Sequence, residues 1–112
     1  MTPPKIILKA VRQNDLDNGR PDSHIIANGY PVGRIHLTNQ ADKVLWYWAL
    51  GSVWTSAENG IAMHGYAPTM EAARAMLRTS FDQWLEWILA IPPEHLGFRT
   101  IDEELRKIGA RS

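Results

Sequence analysis

The chain has 112 residues, 12 Lys plus Arg against 12 Asp plus Glu, and no cysteine. That length fits one domain, and folding a chain this size buries roughly 65% of its unfolded surface, enough for a core without staples. Zero formal net charge removes the usual electrostatic case for nucleic acid or an anionic membrane. The lack of Cys excludes disulfides, thiolate metal sites and a Cys nucleophile. A hydrophobic fraction of 45% and a charged fraction of 21% describe a globular chain rather than a disordered one. Five Trp are many for this length, and Trp favours cores and interfaces because its large ring carries one N–H that needs a partner.

The N-terminal Met1-Thr2-Pro3-Pro4-Lys5 opens onto an apolar run of only Ile6, Ile7 and Leu8. That is too short for a signal-peptide core or a membrane span, so a cytoplasmic protein with no membrane partner is expected. Lys5 to Arg12 reads as a first strand, with Ile6, Leu8 and Ala10 on one face. Ile7 and Val11 share the other face with Lys5 and Lys9. Gln13 to Ser23, rich in Asn, Asp, Gly and Pro, reads as a loop. Its Asp15, Asp17 and Asp22 lack the further ligand, the Gly and the terminal Glu of a calcium-binding loop, so a solvated loop is expected.

Residues 24–27 and 32–38 flank Asn28-Gly29-Tyr30-Pro31. Asn-Gly is the strongest short hairpin signal, because both residues tolerate positive φ. Asn39 to Asp42 is the next turn. Lys43 to Leu50 then alternates, with Val44, Trp46, Trp48 and Leu50 on one face and Leu45, Tyr47 and Ala49 on the other. A weaker strand is expected around 61–64. The long helix is the most legible element. Thr69 suits its N-cap, and Glu71 in the first turn suits its dipole. Met70, Ala73, Leu77, Phe81, Trp84, Leu85, Ile88 and Ile91 form one stripe, with Met76 and Trp87 at its margin. Arg78 and Asp82 are spaced to pair, and Pro92-Pro93 ends the helix. Thr100 to Glu103 matches a capping box ahead of a short helix over about 101–108.

The expected fold is therefore α+β. An antiparallel sheet of three to four strands, in β-β-β-α order, packs under one long amphipathic helix, with a short C-terminal helix. Residues 1–112 make one domain, its core at 5–91 and an extension at 92–112.

Val32-Gly33-Arg34-Ile35, the Trp46 and Trp48 pair, and Gly65-Tyr66-Ala67-Pro68-Thr69-Met70-Glu71-Ala72-Ala73 ahead of Trp84 form a pattern. It resembles small bacterial proteins of no assigned activity, common among alpha-proteobacteria, that share VGRI…WxW…GxAxTxEAA…W over about residues 23 to 90. A looser resemblance is to the HicB-like antitoxin domain. There a three-stranded sheet leads through Gly into a Thr-capped helix that ends near Trp-Leu. Gly65, Thr69, Glu71, Ala72, Trp84 and Leu85 stand in matching positions. The PDLPGC stretch of that family is absent and Ala72 replaces its second Glu. The resemblance implies a β-β-β-α fold.

Of His24, His36, His64 and His95, only His36 and His64 are placed to approach each other. No HxxxH or HxH spacing exists, so neither a metal nor a cofactor is expected. No phosphate loop, nucleophile elbow or carboxylate pair appears, and catalysis is the third-ranked reading. The aromatic residues carry more information. With Trp46 and Trp48 in the core, Tyr47 lies outward, joined by Arg34 and His36 if the register allows. That set, with Trp54 near a turn and Trp87 at the stripe's edge, is the candidate partner or nucleic-acid surface. The leading expectation is a non-enzymatic protein-interaction module, self-associating as a homodimer that covers the open sheet face. Alternatively, the N-terminal strand and C-terminal helix wrap that face. The second functional reading, a nucleic-acid or antitoxin-type binder using the same face, has no support from net charge.

Overall fold

A computed structural model describes residues 6–12, 22–51, 60–91, 103 and 105–110. Among these residues five strands form one antiparallel meander, β1(Leu8–Arg12), β2(Asp22–Ala27), β3(Tyr30–Gln40), β4(Lys43–Ala49) and β5(His64–Ala67), followed by α1(Met70–Ala90). The α+β class and the long helix agree with expectation, but the sheet has five strands rather than three to four. The first strand does pair, at the edge beside β2, and the weak last strand lies at His64–Ala67, three residues beyond its expected place. Short strands at sheet edges lack the two-sided burial that makes a central strand easy to read. Asp22 and Ser23 also belong to β2 rather than to the preceding loop, and both are buried.

The hairpin chemistry follows the backbone sterics. Asn28 and Gly29 at φ 50° and 78° make a turn with both central residues left-handed, as Asn-Gly favours. The β3–β4 turn has the same signs, with Ala41 at 48° and Asp42 at 66°. A left-handed Ala costs roughly 1 kcal/mol. Between β2 and β3 the pairing steps from Ile25–Gly33 to Ile26–Pro31, leaving Val32 as an extra, buried residue. Pro31 sits beside this bulge, where a missing N–H is tolerated.

One face of the sheet packs under α1. Ile35 pairs Trp48 and Leu37 pairs Trp46, while Gly65 and Ala67 continue the same rows on β5. Against them α1 buries Ala73, Leu77, Ser80, Phe81, Trp84, Leu85 and Ile88. The expected stripe holds at its centre. Its ends, Met70 and Ile91, are half-buried, Ser80 is an addition, and Met76 stays exposed. The Thr69 hydroxyl accepts the Ala72 N–H at 3.1 Å, giving the helix its cap. Arg78 pairs with Asp82 at 3.1 Å and also donates to the Ile6 carbonyl, tying α1 to the entry of β1.

Two glycines allow close approach on this face. A Cβ on Gly33 would strike the Ala49 carbonyl and crowd Leu77 and Leu50. A Cβ on Gly65 would stand 2.9 Å from the Trp48 indole nitrogen, so that ring lies over bare backbone. The C-terminal helical turn at 105–107 docks at the β2–β3 end. Leu105 and Ile108 join the buried core, Asn28 donates to the Lys107 carbonyl at 3.0 Å, and the Lys107 ammonium lies 5.5 Å from the Tyr30 ring centre. The capping-box residues Thr100 to Asp102 lie outside the described residues. Among the described residues, no helix is long and apolar enough to cross a membrane.

Candidate functional site

The pairing that puts Trp46 and Trp48 under the helix turns the alternate residues outward. Side chains opposite each other in a ladder share a face. Tyr66 therefore stands beside Tyr47, Tyr47 beside His36, and His36 beside Asp22, in one row across β5, β4, β3 and β2. A second row runs His64, Ala49, Arg34, His24 and Val11. The rings of the first row touch. Centroids lie 5.3 Å apart for Tyr47 and Tyr66, and 5.1 Å for His36 and Tyr47, with tilted planes. His64 reaches the same cluster, 6.2 Å from Tyr47. His36 and His64 thus do not meet directly, because β4 separates their strands and Tyr47 stands between them.

Arg34 is fixed at the edge of this cluster by Asp22. Its Nε donates to one carboxylate oxygen and its Nη2 to the other, both at 2.8 Å, a bidentate pair. The Asp22 side chain is nearly buried, at 8% exposure, and that of Arg34 is 43% exposed. The hydrogen bond from Arg34 holds the Asp22 carboxyl below its ordinary value of 3.8, against the opposing effect of burial, with smaller contributions from His24 and His36. The same bond raises Arg34. A shallow hollow of about 350 Å³ lies here, lined by His24, Arg34, His36, Tyr47 and the backbone at Gly33 and Gly51.

Of the five residues singled out from the sequence, the structure brings Arg34, His36 and Tyr47 together on this face. Trp54 lies outside the described residues, as does His95. Trp87 is half-buried and packs against the helix-side core, so it does not join them. His24, His64, Tyr66 and Asp22 belong to the face as well and were not singled out. The signal for Asp22 and His24 was their two-residue spacing, hidden while Asp22 was placed in a loop. Tyr66 required the pairing of Gly65 with Trp48. Among the described residues no group of three His, Asp or Glu converges closely enough to hold a metal ion.

Compared with known proteins, the chain matches no family model, no curated protein and no solved structure, so its site is read from its own chemistry.

Proposed function

We propose that this protein is a non-catalytic interaction module whose outer sheet face binds protein, a second copy of the chain being its first partner. The supporting observation is the row Tyr66, Tyr47 and His36, rings in contact across three strands, over which no second layer of described residues lies. Tyr and Arg are the side chains that interfaces enrich and that most often dominate their energetics. A single sheet with a helix on one side gains most by placing another layer on the other. Zero net charge offers little repulsion between copies.

Light scattering over a concentration series tests this reading. The expected result is a dimer that Tyr47→Ala with Tyr66→Ala shifts to monomer. A monomer at every concentration up to about 1 mM removes self-association.

The second reading, a single-stranded nucleic-acid platform, draws on the meeting of Arg34, His24, His36 and Tyr47 on one face. Against it, Asp22 neutralises Arg34, and the rings lean on one another instead of offering separate stacking surfaces. Titration of labelled single-stranded RNA and DNA at about 50 mM salt decides it, since phosphate contacts make affinity fall steeply with salt.

A further inference from the structure

A different surface carries a more specific assignment. Among the described residues β1 is an edge strand, paired to β2 on one side only, so alternate N–H and C=O groups along its other side meet no described strand. Its inward side chains, Leu8 and Ala10, are only half-buried, because α1 packs mainly over β3, β4 and β5. A groove of about 260 Å³ opens between the two. Leu8 and Ala10 form one wall, Ile25 and Leu77 the floor, and Arg74 and Arg78 the rim along the helix. That volume suits one or two apolar side chains rather than a cofactor.

Free edge, apolar groove and basic rim are the three parts of a site for an extended peptide. Main-chain hydrogen bonds to the edge supply affinity, and every second side chain enters the groove. We infer that this groove takes an extended segment of a partner protein as a sixth strand, with an apolar side chain between Leu8, Ala10 and Leu77 and an acidic group two residues away on Arg74 and Arg78.

Charge decides the occupant. Arg74 and Arg78 are spaced i,i+4, so they stand on one helix face. Arg74 is exposed and makes no ion pair among the described residues, while Arg78 is answered in part by Asp82. Lys9 adds positive charge along the strand, and Glu71, near the start of α1, is the nearest acidic residue in sequence to Arg74. A second copy pairing through the same edge would bring these cations together, so the edge repels its own copy and selects an acidic strand. The exposed Ile7 and Val11, on the opposite side of β1 from the groove, offer the added strand apolar neighbours on that side too.

The test uses the full chain, labelled with ¹⁵N, and an array of ten-residue peptides. Each carries one Leu or Phe with Asp, Asn or Lys two positions away. The Asp peptides are expected to shift the amide signals of residues 8–12 and 74–78, and to bind about tenfold more tightly than the Asn forms. Added salt should weaken them. Arg74→Glu, at an exposed position that leaves the core intact, should abolish that preference and transfer it to the Lys peptides. Ala10→Trp, which fills the groove, should remove binding of both. The inference is overturned if no peptide perturbs residues 8–12 at about 1 mM, if Asn and Asp forms bind equally, or if Arg74→Glu changes nothing. Tyr47→Ala leaves this binding intact, so failure here and failure of the outer-face reading are separable.

Discussion

The two faces of one sheet obey different rules. On the inner face, Ile35, Trp48, Ala67 and their neighbours meet the stripe of α1, and every position is judged by volume. On the outer face, Tyr66, Tyr47, His36, Arg34 and Asp22 are judged by what their polar atoms and ring edges reach. Alternation along β3 and β4 places both sets within the same few residues, so one strand supplies both the core and the outer cluster. The inner face tolerates little change of shape, because interiors are packed as densely as organic crystals. If the proposed binding role holds, substitutions on the outer face spare the fold and weaken binding.

That contrast can be broken by measurement. Phe81→Ala, at a fully buried site, should cost about 3–5 kcal/mol in denaturant unfolding, whereas Tyr47→Ala should cost under about 1.5 kcal/mol. Equal losses would mean that the outer cluster is as much core as the inner face. Gly33→Ala should destabilise by about 2–3 kcal/mol, since its new methyl strikes the backbone carbonyl of Ala49 and crowds the buried Leu77. A neutral Gly33→Ala would show that β4 gives way and that the inner face is looser than its contacts suggest.

Asp22→Asn sharpens the outer side. It removes a bidentate partner from a half-exposed Arg34 and should cost about 1–2 kcal/mol after allowance for solvent screening. The folded carboxyl titrates below its ordinary value of 3.8. The pair's stabilisation is therefore complete above that value and is lost as pH falls through the lower, folded one. Wild-type stability should decline there, and the Asp22→Asn curve should be flatter over the same range. Parallel curves would assign no role to the pair. The smallest effect is expected at Ala41→Gly, which relieves a left-handed Ala and should raise stability by about 0.5–1 kcal/mol.

Much of the helix-side architecture was legible because it depends on local periodicity. The Thr69 cap, the stripe through Leu77, Phe81, Trp84 and Ile88, the Arg78–Asp82 pair and the Asn28-Gly29 turn all follow from spacings of four residues or fewer. The partner of a strand is a different matter. Asp22 looked like a loop residue because its neighbours are turn formers, and Tyr66 lies beyond the weak strand expected at 61–64, since the four-residue strand His64–Ala67 is too short for periodicity to place. Their places on the outer face rest on contacts with Arg34 and Tyr47, 12 and 19 positions away, which no window along the chain contains. Val32-Gly33-Arg34-Ile35 shows both sides of this. Its apolar character marks a strand, but the reason for Gly33 is a carbonyl on β4 and the reason for Arg34 is a carboxylate on β2.

What the sequence by itself determined is the kind of each central element and which of its residues turn inward, since alternation and the 3.6-residue period act within a single element. Only the tertiary structure decided the number of strands, the register and the composition of the outer face. It alone placed the groove between β1 and α1 as well. Pairing energies are spread over many weak contacts between distant segments, and they become specific only when the whole sheet closes under the helix.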